Sequence, residues 1–160
     1  LLIVNDDARL AAELGADGVH LGRDDGGVAE ARAVVGSEAI IGVSCYDQIA
    51  RAIEAQREGA DYVAFGSFFA SSVKPHAVRP PISLLAHARR ALGCPIVAIG
   101  GITLERASGL VSAGADALAV ISDIFDAPDV QARASAYSQL FGQAPDDIGN
   151  ARNDDHDLTQ

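Results

Sequence analysis

Short apolar runs recur along the chain, at residues 1–4, 18–21, 40–43, 62–65, 96–99 and 117–121. A run this short, without polar alternation, predicts a strand buried on both faces, as in a parallel sheet covered on two sides. The stretches between the runs carry apolar residues at helical spacing and predict helices over 8–14, 28–35, 49–58, 82–92 and 104–113. Leu10, Ala11 and Leu14 fall on one face of the first, and Ile49, Ala52 and Ile53 on one face of the third. Asp7 is a good N-cap for the first helix. Thr103 can cap the fifth, with Glu105 in its first turn. Asp129 caps a last helix running to about residue 141. The segment 66–81 is the longest irregular stretch before that point, of a length often found in functional lids. From 142 to 160 the chain is polar, without apolar periodicity, and a disordered tail is expected.

One triplet recurs: Gly15-Ala16-Asp17, Gly59-Ala60-Asp61 and Gly114-Ala115-Asp116. Each closes a helix and precedes an apolar run. Glycine suits the helix C-terminus and aspartate the turn. This is the grammar of repeated βα units, which require a parallel sheet with right-handed crossovers. The expected fold is α/β, a TIM (β/α)₈ barrel, with about six units in residues 1–141. An open doubly wound sheet is the alternative. The barrel is preferred because polar residues recur at the strand ends and no Gly-x-Gly-x-x-Gly fingerprint is present. Leu1 already sits inside a strand-like run, so two further units are expected ahead of it.

The net charge of −10 over 160 residues argues against nucleic-acid and membrane-surface partners, because it could not neutralise a phosphate backbone. No apolar run approaches the ~20 residues of a spanning helix. Cys45 is expected just past one strand and Cys94 just before another, too far apart to bridge. Both read as reduced and structural, in a cytoplasmic protein.

In a parallel barrel every strand ends on one rim. That rim carries Asn5, Asp6, His20, Asp24, Asp25, Ser44, Ser71, Ser72, Lys74, Gly100, Gly101, Ile121 and Ser122. Asp6 and the Asp24-Asp25 pair can share a hard cation, since Mg²⁺ typically takes one or two carboxylates and completes its shell with water and phosphate. They can equally be turn-forming and capping aspartates. Lys74, among hydroxyls, suits a phosphate or a solvated surface. The Gly100-Gly101 and Ile121-Ser122 turns can cradle a second phosphate. His20 is expected to pack or hydrogen-bond near the rim, and His76 and His87 to be exposed.

The motifs Ile3-Val4-Asn5-Asp6, Gly18-Val19-His20-Leu21-Gly22 with Asp24-Asp25, Gly42-Val43-Ser44, Val97-Ala98-Ile99-Gly100-Gly101-Ile102-Thr103 and Val120-Ile121-Ser122, in this order, resemble the thiamine-phosphate synthase family. The resemblance implies a TIM barrel that joins a hydroxymethylpyrimidine diphosphate to a thiazole phosphate with Mg²⁺, releasing pyrophosphate. It implies that Asp6 and Asp25 hold the metal. Asn5, Ser44 and Lys74 would contact the pyrimidine diphosphate, with Ser44 and Lys74 serving catalysis. Gly101, Ile121 and Ser122 would hold the thiazole phosphate, with Ser71, Ser72 and Val73 lining the loop. Val73 stands where the family carries a hydroxyl residue. The implied chemistry is dissociative: pyrophosphate departs, and the thiazole nitrogen captures the pyrimidine-methyl cation. A thiazole tautomerase of the same fold and a non-catalytic phosphate-binding fragment are the competing readings. In the fragment, unpaired strand edges would drive association with a second copy.

Overall fold

The computed structural model describes residues 1–70 and 78–142. Six strands form one sheet in unbroken chain order, every neighbouring pair parallel. They are β1 (Ile3–Asn5), β2 (Gly18–Leu21), β3 (Ile40–Tyr46), β4 (Tyr62–Phe65), β5 (Ile96–Ile99) and β6 (Ala117–Ala119). The helices are α1 (Ala8–Leu14), α2 (Val28–Val35), α3 (Ile49–Arg57), α4 (Ser83–Ala91), α5 (Leu104–Ser112), α6 (Ser122–Phe125) and α7 (Val130–Gln139). A doubly wound sheet reverses its strand order at a switch point. This sheet never does, so it is an arc of TIM-barrel wall.

Successive residues of each strand point to opposite faces. Val19, Leu21, Ile41, Val43, Cys45, Val63, Phe65, Ile96 and Ala98 are buried in one core with Ala11, Ala31, Ala52, Leu85, Ala88, Ala107 and Leu110 of the helices. The other set, including His20, Ser44, Tyr62, Val97 and Ile99, lines a cavity. The expectation of burial on both faces therefore holds on the helix side, and on the cavity side only in part, as at Ala64, 1% exposed. Ile96 and Ala98 are 0% exposed, whereas Val97 and Ile99 are only partly covered.

The recurring triplet has a specific job. Its glycine takes positive φ each time, 61° at Gly15, 95° at Gly59 and 113° at Gly114. The aspartate then caps the start of the preceding strand. Asp17 Oδ2 accepts the Leu2 N–H at 2.6 Å, Asp61 Oδ2 that of Ile41 at 2.7 Å, and Asp116 Oδ2 that of Ile96 at 2.7 Å. Arg32 and Arg89, from the helices before, bind the Asp61 and Asp116 carboxylates.

Several expectations are corrected. β3 runs on through Ser44 and Cys45 to Tyr46, so Cys45 is buried within the strand rather than past it. Tyr46 pairs with Phe65 across a register shift, and this tertiary pairing extends the strand. β6 is shorter than expected, and residues 122–125 form the added helix α6. α1 and α3 bury their alanines, Ala11 and Ala52, letting the helix lie close to its neighbours. Leu10, Leu14 and Ile53 remain exposed. Asp7 and Asp129 cap as expected, accepting N–H groups of Arg9, Leu10 and Ala132. Thr103 occupies the cap position of α5 without a side-chain cap bond. Its side chain hydrogen-bonds Glu105 instead, and holds that carboxyl below its usual range. Cys45 and Cys94 are both free. Residues 143–160, the expected tail, lie outside the described residues.

Candidate active site at the C-terminal rim of the sheet

Asn5 ends β1, and Asp6 follows it with φ 68°. Aspartate tolerates this left-handed backbone better than most residues. The Asp6 N–H donates to the His20 carbonyl at 2.8 Å, so the turn is tied to β2. Asp25 lies in the loop after β2, where its Oδ2 accepts the Gly22 N–H at 2.7 Å. A Cβ placed on Gly22 would stand 2.7 Å from Asp25 Oδ2 and 3.8 Å from Asp6 Oδ1. The two carboxylates thus border one small space above Gly22. Two carboxylates at an open rim suit a hard cation that keeps water and ligand oxygens in its shell, which is the habit of Mg²⁺. Among the described residues no group of three or more His, Cys, Asp and Glu could hold a metal by itself.

Ser44 is on β3, facing inward. His20 Nε2 lies 2.9 Å from its Oγ, and His20 Nδ1 lies 2.9 Å from the Tyr62 hydroxyl. The His20 and Tyr62 rings stack with centroids 5.5 Å apart. A Cβ on Gly42 would run into the Tyr62 ring, so the glycine makes room for this layer. Burial raises the Tyr62 pKa above its ordinary value and keeps the phenol protonated. His20 accordingly does hydrogen-bond near the rim, and His87 is exposed.

At the other end of the sheet, Gly100 and Gly101 take φ 93° and 62°. A Cβ on Gly101 would collide with the backbone carbonyls of Phe69 and Ala70, so no other residue fits there. Ile121 and Ser122 follow β6. Asp123 straps their turn to its surroundings: its Oδ2 accepts from Tyr137 Oη at 2.8 Å, Arg133 Nη1 at 3.2 Å and the Leu104 N–H at 3.3 Å. Burial, then the bond to Asp123, pushes the Tyr137 pKa up.

One cavity of about 830 Å³ takes in Asn5, Ser44, Gly101, Ile121 and Ser122 together. That is ample room for a drug-sized ligand. Asp24 is exposed on the loop beside Asp25. Ser71, Ser72, Val73, Lys74 and His76 lie outside the described residues. Sequence reasoning missed Tyr62, Arg51 and the Asp123–Arg133–Tyr137 cluster. His20 and Tyr62 carried a usable signal, as polar side chains at inward positions of apolar strands. Arg51 carried none, since it reads as one more solvent-facing helix residue.

The family model described as thiamine monophosphate synthase matches residues 1–124. The thiamine-phosphate synthase of an Azoarcus species is 64% identical over 140 residues, which is 88% of this chain and 68% of that one. The thiamine-phosphate synthase of Methylobacillus flagellatus is 60% identical over 140 residues, 88% and 66% of the two chains. Among solved structures, thiamine phosphate pyrophosphorylase from Pyrococcus furiosus superposes with a TM-score of 0.76 at 31% identity, over 88% of this chain and 66% of that one. The chain therefore spans about two thirds of the length of its relatives.

Proposed function

The chain belongs to the thiamine monophosphate synthase family, and from that premise we propose that it carries the thiamine-phosphate synthase reaction. A pyrimidinylmethyl group is transferred from its diphosphate to the nitrogen of a thiazole phosphate. The C–O bond to the diphosphate breaks, its electron pair leaves with pyrophosphate, and a C–N bond forms. One observation supports the reading: Asn5, Ser44, Gly101, Ile121 and Ser122 open on a single cavity, and the Asp6 and Asp25 carboxylates, outside its lining, border one space above Gly22. The pair of carboxylates favours the synthase over a tautomerase, which handles no diphosphate.

Asp6 and Asp25 would hold Mg²⁺, which when bound neutralises charge on the departing diphosphate. Asn5 would donate its amide to a diphosphate oxygen, and Ser44 would hydrogen-bond the same substrate. The His20–Tyr62 pair, in the same cavity wall, would hold the Ser44 hydroxyl from the side. Gly101 and the Ile121-Ser122 turn would receive the thiazole phosphate across the cavity, bringing the nucleophilic nitrogen and the methylene carbon together. Lys74, with Ser71, Ser72 and Val73, would complete the diphosphate and loop contacts. Val97, Ile99 and Ala119 would give the cationic carbon apolar neighbours in the cavity wall. A cytoplasmic enzyme of small-molecule substrates fits this reading. Among the described residues no helix is long and apolar enough to cross a membrane.

The test is incubation of the chain with both substrates and Mg²⁺, with chromatographic detection of thiamine phosphate. Product is expected, at least a hundredfold slower in Asp25→Ala, the scale of losing one electrostatic stabiliser. No product from the chain, or undiminished product from Asp25→Ala, overturns the assignment.

A further inference from the structure

Arg51 sits in the first turn of α3, partly buried and pointing back at the rim. Its Nε donates to the Ser44 carbonyl and its Nη2 to the Gly22 carbonyl, both at 2.9 Å. Those peptides lie just past the end of β2 and within its neighbour β3. Gly22 also gives its N–H to Asp25, and Ser44 carries the hydroxyl that meets His20. One guanidinium thus bridges the backbone presenting Asp25 and the backbone presenting Ser44. The ion pairs among the described residues are Arg32–Asp61, Arg57–Glu54, Arg89–Asp116 and Arg133–Asp123, so Arg51 has no carboxylate counter-ion there. Its positive charge lies behind the rim, held by two carbonyl dipoles and, on its exposed side, by water. A guanidinium without a counter-ion adds positive potential that favours an incoming anion.

We infer that Arg51 is a positioning residue that locks the Asp25 and Ser44 halves of the diphosphate subsite into one register and contributes the positive potential that draws a diphosphate to them. This rests on the synthase reading above. The planar fork is essential to the role. Lysine offers a point charge without a rigid pair of donors, so it keeps the potential and loses the register.

The test uses the whole chain as wild type, Arg51→Met and Arg51→Lys. Three quantities are read: KM for the pyrimidine diphosphate, KM for the thiazole phosphate, and the calorimetric Kd for magnesium pyrophosphate. Loss of hydrogen bonds from a charged donor predicts that the first and third rise about tenfold in Arg51→Met, with a smaller rise in Arg51→Lys. The thiazole phosphate KM stays within about twofold. A merely structural arginine would lower Tm and move both KM values alike or neither, and either result overturns the inference. If the wild type makes no product, the synthase reading falls and calorimetry alone decides. An Arg51→Met Kd equal to wild type, or a wild type that does not bind magnesium pyrophosphate, then overturns it. Should Arg51→Met fail to fold, the Arg51→Lys values decide in the same way.

Discussion

Substituting Asp116 by alanine separates two functions that one carboxylate combines. Asp116 Oδ2 accepts the N–H of Ile96, a residue 0% exposed, and also pairs with Arg89. The pair is a surface one, with side-chain exposures of 40% for Arg89 and 43% for Asp116. Screened pairs of this kind contribute roughly 0–1 kcal/mol. An N–H left without an acceptor at a buried strand start costs about 1–3 kcal/mol. Asp116→Ala should therefore destabilise by about 2–3 kcal/mol, and Arg89→Met by less than about 1. Asp116→Asn keeps an acceptor oxygen and should fall near the arginine variant. Urea unfolding followed by far-UV circular dichroism measures this. With an m-value of roughly 2 kcal/mol/M, the Asp116→Ala midpoint drops by about 1 M at constant slope. If Arg89→Met costs as much as Asp116→Ala, or Asp116→Asn as much as Asp116→Ala, the aspartate acts as an ion-pair partner and the strand-cap account is wrong. Asp61→Ala against Asp61→Asn, acting on the Ile41 N–H, repeats the carboxylate half of the experiment.

Cys45, pushed up to about 12 by burial from 9.0, holds its proton where the unfolded chain has already released one. Stability should accordingly fall from about pH 9 toward pH 12, by at most about 1.4 kcal/mol per pH unit from this group. The raised pKa values of Tyr62 and Tyr137 act in the same direction. A Cys45→Ala variant should show a flatter decline, and an unchanged slope would count against the assignment. Gly42→Ala forces a methyl group into the Tyr62 ring. It should cost about 1–3 kcal/mol, as overpacking does, and displace Tyr62 from His20. A melting temperature within a degree of wild type would contradict that packing.

Much of the fold was legible because each apolar run is followed by a helical pattern and the Gly-Ala-Asp triplet marks three of the joints. The triplet's mechanism was not legible, because the N–H it caps lies one strand earlier. The end of β3 was hidden for a similar reason. Ser44, Cys45 and Tyr46 remain extended through pairing with β4, and nothing in their own side chains marks it. α6 has four residues, too few to show a period. The leucines of α1 satisfied a helical face that the fold leaves to Ala11. At the site, charged and glycine residues after strands could be read directly, because the parallel sheet sends every strand exit to one rim. Arg51 acts through backbone carbonyls of distant elements and Asp123 through Tyr137, Arg133 and the Leu104 N–H, and such partners become visible only once the chain is folded.

The most direct test of the site is Mn²⁺ binding in place of Mg²⁺, followed by electron paramagnetic resonance in the presence of pyrophosphate. If Asp6 and Asp25 face one cation, the wild type binds one Mn²⁺ per chain, and Asp6→Asn and Asp25→Asn each weaken it at least tenfold, with the double variant little worse than either single one. Binding that survives both substitutions, or losses that simply add as for two separate sites, would contradict the shared rim.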